Sequence, residues 1–167
     1  RLDVVVNNAG VMAAGLDEAF TIEQWGAVLD VNLYGVQRMF RAALPTMRAK
    51  GAGLFVTVSS NMAQLTLPFA GLYTASKRAV EGLVESYRYQ LAPLGIDSII
   101  VEPGGYPTAL FAKMTGPADA ARIEAYGPLA ELPHRVFGGF AASLQGPDAP
   151  DPREVADAIV GLAETPR

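Results

Sequence analysis

Apolar positions along the chain fall into two rhythms. Short continuous runs occur at "LDVVV" (Leu2 to Val6), "LFVTVSS" (Leu54 to Ser60) and "IDSIIVE" (Ile96 to Glu102). Each is too short for a helix of ordinary length, rich in β-branched residues and bounded by turn formers, which predicts buried strands. Between them the period lengthens to that of a helix. "TIEQW" offers Thr21 as N-cap with Gln24 three positions on, a capping box, and the helical pattern continues to Lys50 as one or two helices with a kink expected near Pro45. A second helix is expected from about Gly71 to Leu91, where "APLG" stops it. Strand, helix, strand, helix, strand predicts an α/β fold with a parallel sheet and right-handed crossovers.

From Pro107 to Pro150 the rhythm dissolves into Gly, Pro, Ala and scattered aromatics, which is expected to be a long functional excursion. The pattern returns in "DPREVADAIVGLAETP", a helix with Asp151 as N-cap, Pro152 at N1, Glu154 at N3 and apolar Val155, Ile159 and Leu162. One domain over 1–167 is expected, with a substrate loop over 109–147.

Composition narrows the function classes. A formal net charge of −4 without a Lys/Arg cluster argues against nucleic acid or an anionic membrane as partner and favours small molecules. The chain has no cysteine and one histidine, His134, so no metal site is expected; an intracellular, cytoplasmic location fits. No run approaches the length of a membrane span or signal region.

In a parallel α/β sheet, ligands sit outside the carboxyl ends of the strands. Three polar clusters fall there: "NNAG" after the first strand, "SSN" after the second and "PGGYPT" after the third. Tyr73 and Lys77 open the following helix, four residues apart and so on one face. A free phenol titrates near pH ~10, and a neighbouring ammonium is expected to favour its phenolate. Taken singly, each of these residues is an ordinary helix-surface pair, strand-end serine or turn; their joint order is what the ordinary reading leaves unexplained.

That order resembles the short-chain dehydrogenases/reductases across the whole chain. Tyr73, Thr74, Ala75, Ser76 and Lys77 match the YxASK signature, and Ser60, thirteen residues upstream, matches the catalytic serine in preference to Ser59. "NNAG" (Asn7 to Gly10), Asn32 in "LDVNLYG", and Pro103, Gly104 and Thr108 in the PG loop complete the set. The resemblance implies a partial Rossmann-like, doubly wound parallel sheet in three αβα layers, with Asn32, Ser60, Tyr73 and Lys77 catalytic. It also implies NAD or NADP held by Asn8, Ala9, Gly10, Tyr73, Lys77, Pro103, Gly104, Tyr106 and Thr108, an alcohol or ketone substrate, and a homodimer or homotetramer at full length. Lys77 would bind the ribose hydroxyls, Ser60 the substrate oxygen, and Asn32 a water in a proton relay.

The family's Gly-rich phosphate turn and its last strand have no counterpart here, so a partial domain is expected, with the edges of "DVVVN" and "DSIIVE" unpaired. Gln64, where an "AG" pair is commoner, and Tyr106 and Pro107 in the PG loop are smaller departures. The alternative is a truncated, catalytically silent remnant or interaction module of the same family. Phe111, Met114, Tyr126, Phe137 and Phe140 are candidates for an apolar substrate cleft, or for core cover.

Overall fold

The computed structural model describes residues 2–165. Three parallel strands, β1 (Val4–Asn7), β2 (Gly53–Val58) and β3 (Ile96–Val101), form a sheet in the order β1-β2-β3. Val4 faces Leu54 and Gly53 faces Ile96, so all three carboxyl ends meet at one edge. The predicted strands are present, and "LFVTVSS" supplies the middle one. Beyond the strands the ladder continues: Ser59 N–H donates to the Val101 carbonyl (2.8 Å) and Asn61 N–H to that of Pro103 (3.0 Å), which holds the "SSN" turn beside the PG loop.

The crossovers are helical. The first comprises α1 (Ile22–Leu29) and α2 (Gly35–Lys50); the second is α3 (Gly71–Leu91). Thr21 and Gln24 form the expected capping box, at 3.1 and 3.3 Å. The irregularity lies elsewhere than at Pro45, through which α2 runs unbroken. It is a five-residue π turn, Asp30–Tyr34, closed by the Gly35 N–H on the Asp30 carbonyl. Such insertions re-aim side chains and recur at functional sites; this one carries Asn32.

Strand alternation gives the sheet two different faces. Val5 and Phe55 point into a core with α2 and α3, where Phe40 stacks between Phe55 and Tyr87 with ring centroids 4.1 Å from each. Val6 and Val58 point the other way, into a cleft also lined by Val155 and Ile159 of α7 (Arg153–Glu164). α7 starts one residue later than expected, with Pro152 rather than Asp151 at the N-cap, although the Asp151 side chain still accepts the Arg153 N–H at 2.9 Å.

The stretch from Pro107 to Pro150 is more regular than its sequence suggests. It holds α4 (Ala109–Ala112), α5 (Ala120–Ala125), a 3-10 turn (Gly127–Glu131) and α6 (Leu132–Ser143). Here prolines begin elements rather than break them: Pro128 and Pro133 stand in first turns, where no N–H is needed. The excursion is tied to the segment after β1 by a parallel bridge between Ala13 and Thr115. The capping-box Gln24 adds to the tie, donating to the Gly116 carbonyl (2.9 Å) and accepting the Ala118 N–H (3.0 Å).

Candidate active site

The carboxyl edge of the sheet opens into a cleft of about 1010 Å³. Its reactive side chains come from the end of β2 and the first two turns of α3. The start of α3 is fixed by Asp17, whose carboxylate accepts the Leu72 N–H (3.3 Å), one of the donors a helix start leaves unpaired. The approach is close enough that a Cβ on Gly71 would lie 2.5 Å from that carboxylate and would push it off the helix start.

Tyr73, two residues on, is buried against Met12, Met62 and Phe137 and is hydrogen-bonded to Ser60. Ser60 also accepts the Met62 N–H (3.2 Å), which sets its rotamer at the strand end. Lys77 lies one turn beyond Tyr73, its ammonium 5.7 Å from the Tyr73 ring centroid and donating to the Val58 carbonyl at 3.0 Å. The sequence-predicted trio is therefore assembled around one point.

The electrostatics differ from expectation. Lys77 was expected to draw the phenol's pKa down; instead burial pushes the Tyr73 phenol above its ordinary value, and the bond to Ser60 pulls the other way. Burial also disfavours the ammonium, lowering Lys77 to about 8 against the partly compensating attraction of Glu81.

Asn32, in its π turn, is 2% exposed. Its Oδ1 accepts the Val11 N–H, and its Nδ2 donates to the Val11 carbonyl and to Ser76 Oγ, each at 2.9 Å. It thus clamps the turn after β1 to α3. A Cβ on Gly10 would lie 3.6 Å from both Asn32 Oδ1 and Lys77 Nζ, so Gly10 leaves a gap where these two polar atoms converge.

Of the expected cofactor contacts, Asn8, Gly10, Pro103, Gly104, Tyr106 and Thr108 line the cleft with Tyr73 and Lys77. Ala9 is exposed and is not among the lining residues. Thr108 caps α4, accepting the Leu110 N–H at 3.4 Å, and Tyr106 donates to Glu154 of α7 at 3.3 Å. Phe111 and Phe140 meet edge-on at 5.4 Å on the cleft wall, Met114 and Phe137 pack into the cluster beneath Tyr73, and Tyr126 turns away to Glu18. His134 is exposed on α6 and does not line the cleft.

Four contributors have roles that the sequence did not assign them. Asn7 ties β1 to β2 by donating to Thr57 Oγ1 (3.1 Å). Gly105 lies against Phe140, where a Cβ would come within 2.6 Å of the ring. The apolar face of α7 closes the cleft, and Glu81 sits buried one turn beyond Lys77. Asn7 and Gly105 lay inside the "NNAG" and "PGGYPT" clusters and the α7 face was legible as apolar, without these roles; for Glu81 the signal was its four-residue spacing from Lys77. Among the described residues no cluster of His, Cys, Asp or Glu could hold a metal ion, and no helix is long and apolar enough to cross a membrane.

A buried Tyr-Ser-Lys trio at the carboxyl edge of a parallel sheet defines a class of nucleotide-dependent oxidoreductases. A family model described as short chain dehydrogenase matches residues 1–118, and the chain belongs to that family. Human 17-beta-hydroxysteroid dehydrogenase type 1 is 35% identical over 173 residues, covering 100% of this chain and 51% of that protein. A short-chain dehydrogenase from Streptomyces avermitilis superposes with a TM-score of 0.80 at 33% identity, covering 100% of this chain and 58% of that one. A gluconate 5-dehydrogenase from Burkholderia cenocepacia J2315, solved with NADP and tartrate, gives 0.63 at 33% identity, covering 65% and 42%. The chain spans about half the length of the curated relatives it matches.

The residues present fit the nicotinamide end of such a cofactor. An ammonium carries three donors, and the one bond described for Lys77 leaves others free for ribose hydroxyls. Gly10 and the Pro103 to Thr108 loop leave room beside it. The charged residues lining the cleft are Lys77 and Lys113, so these residues show no cluster suited to a pyrophosphate.

Proposed function

We propose that the protein carrying this chain is an NAD(P)-dependent oxidoreductase that interconverts an alcohol and a ketone on an apolar skeleton. The observation that supports this best is the convergence of Tyr73, Ser60 and Lys77 at the end of β2, inside a largely apolar cleft. A nicotinamide cofactor, when bound, exchanges the hydride with the substrate carbon.

Tyr73 Oη moves the proton. Because burial keeps the phenol protonated through the neutral range, it is set to donate to a carbonyl oxygen; the reverse direction requires the phenolate. Ser60 lies beside that hydroxyl and orients the substrate oxygen. Lys77 places positive charge next to the phenol and offers donors to ribose hydroxyls. Asn32 fixes the Val11 turn and, across the gap at Gly10, presents Oδ1 opposite Lys77, a geometry suited to one bridging water in a proton relay.

Substrate class follows from the walls. Met12, Leu65, Leu67, Leu110, Phe111 and Phe140 line the cleft, and none of its lining residues is acidic. A bulky neutral substrate matches that surface better than a sugar acid or a cationic amine. The similarity to a hydroxysteroid dehydrogenase agrees with this.

Tyr73→Phe in the full protein tests the reading. It removes the proton carrier and little else, so kcat should fall by about 10²- to 10⁴-fold while calorimetric cofactor affinity holds. Turnover at the wild-type rate would refute Tyr73 as the acid/base, and loss of cofactor affinity alone would recast it as a binding residue.

A further inference from the structure

Three consecutive residues at the end of β2 are fastened to three residues spaced four apart on α3. Ser60 bonds Tyr73, Val58 accepts from Lys77, and Ser59 Oγ donates to Glu81 Oε1. The first two belong to the site already described. The third is not part of that site, yet Glu81 is a glutamate only 8% exposed as a residue, and burial of such a residue needs a reason.

Its surroundings supply one. Oε1 accepts from Ser59 and Oε2 accepts from Gln64 Nε2 at 3.0 Å, two bonds that favour the carboxylate against burial and the contact with Glu102, which favour the protonated form. The same Gln64 amide donates to Glu102 Oε1 (3.0 Å), immediately before the PG loop. Glu102, just after β3, and Glu85 on its own helix oppose the charge on Glu81, and Lys77, one turn before it, feels that charge; Arg78 is turned to the Ala63 carbonyl and Thr66. Lys77 is the cation in that set.

We infer that Glu81 is a positioning residue of this site, supplying the counter-charge beneath Lys77 and, through Ser59, fixing the strand end that presents Ser60. Gln64 extends the tie to the PG loop, so one buried carboxylate holds the second and third loops of the site in register. Burial raises the Glu81 carboxyl above its ordinary value and Ser59 opposes the rise. Glu81 in turn offsets part of the burial penalty on Lys77.

The sign follows. Neutralising Glu81 removes a favourable field from the ammonium, so Lys77 should lose its proton at lower pH than the wild-type value near 8. The inference rests on the catalytic reading of Lys77, but its test does not need turnover. The full protein is labelled with ¹³C-lysine, the Lys77 signal is recognised by its loss in Lys77→Arg, and its midpoint is followed against pH.

Glu81→Gln keeps the volume and a hydrogen-bond acceptor; it should lower the midpoint by about half a unit or more and shift the Lys77-dependent limb of the pH–rate profile the same way. Glu81→Asp keeps the charge and should restore most of the midpoint. An unchanged midpoint in a folded Gln variant, or an equal drop in Gln and Asp, overturns the inference. If Glu81→Gln does not fold, Glu81→Met replaces it in the comparison with Glu81→Asp: a midpoint lower in the Met variant than in the Asp variant supports the role, and equal midpoints overturn it. A shifted midpoint alongside a fully active Tyr73→Phe would leave the Glu81–Lys77 coupling intact and defeat only the catalytic reading.

Discussion

The two faces of the sheet are built from similar residues and put to different use. On the side of α2 and α3, Phe40, Phe55 and Val84 are wholly buried. Facing α7, the sheet presents Val6 at 44% exposure, and α7 itself has no buried residue, with Val160 at 53%. The first face is a finished core. On the second face the middle strand is still covered, with Leu54 and Val56 at 0%, but toward the carboxyl edge α7 stands off from the sheet and the space between them is part of the cleft. The side chains proposed to be catalytic lie where the two regimes meet: Tyr73 and Lys77 start on the helix of the closed face and reach the edge of the open one. Rigidity on one side thus positions groups that act on the other.

The sharpest way to break this contrast is to damage the closed face. Phe40→Ala removes a ring stacked on both sides and leaves a cavity in a packed interior, an expected loss of about 3–5 kcal/mol in urea unfolding. Because α2 and α3 share that ring's cavity, activity should disappear with the fold rather than before it. A variant that stays as stable as wild type would show that the α2/α3 face is not the core.

How much of this was written in the sequence divides along the same line. The strands, the capping box and the α3 helix were legible because their signals are local: short β-branched runs, Thr21 with Gln24, and Tyr73 with Lys77 one turn apart. The π turn was not, since one extra residue between Asp30 and Tyr34 leaves a helical pattern nearly unchanged and is stabilised by what Asn32 reaches, not by its neighbours. Pro45 drew attention away from it, although a helix already held by packing on Phe55 tolerates a proline. α4 and α5 were hidden because helices of four and six residues have too few turns to show a period, and α6 because two adjacent glycines, Gly138 and Gly139, and a proline in its first turn mask a helical pattern. The phenol's direction was misjudged because an i,i+4 spacing says which groups are near, while burial, a tertiary property, decides which form is favoured.

A smaller effect is expected where the open side touches the PG loop. In Gly105→Ala the new methyl carbon would meet the Phe140 ring at 2.6 Å, and Leu144 at 3.3 Å closes one way out. The ring tip can swing, so the expected cost is about 1–2 kcal/mol rather than collapse. Phe140 forms part of the cleft wall beside Phe111, so its displacement should change KM for an apolar substrate more than kcat. Unchanged stability and KM together would show that this loop does not rely on the glycine.

The smallest effect on stability should come from α7, and its smallness is the point. Ile159 is only half-buried and lines the cleft opposite Val6 and Val58. Truncating it to Ala removes apolar area that was never fully withdrawn from water, so the expected loss is about 1 kcal/mol or less, well below that of Phe40→Ala. If α7 is a wall, the same change widens the cleft and should weaken binding of an apolar ligand by a few-fold, measured by calorimetry on a variant whose unfolding midpoint hardly moves. If α7 is ordinary core, the order reverses, with stability falling by several kcal/mol and affinity following only through loss of folded protein. Measuring Phe40→Ala and Ile159→Ala under the same conditions therefore tests whether the sheet has one structural face and one functional face.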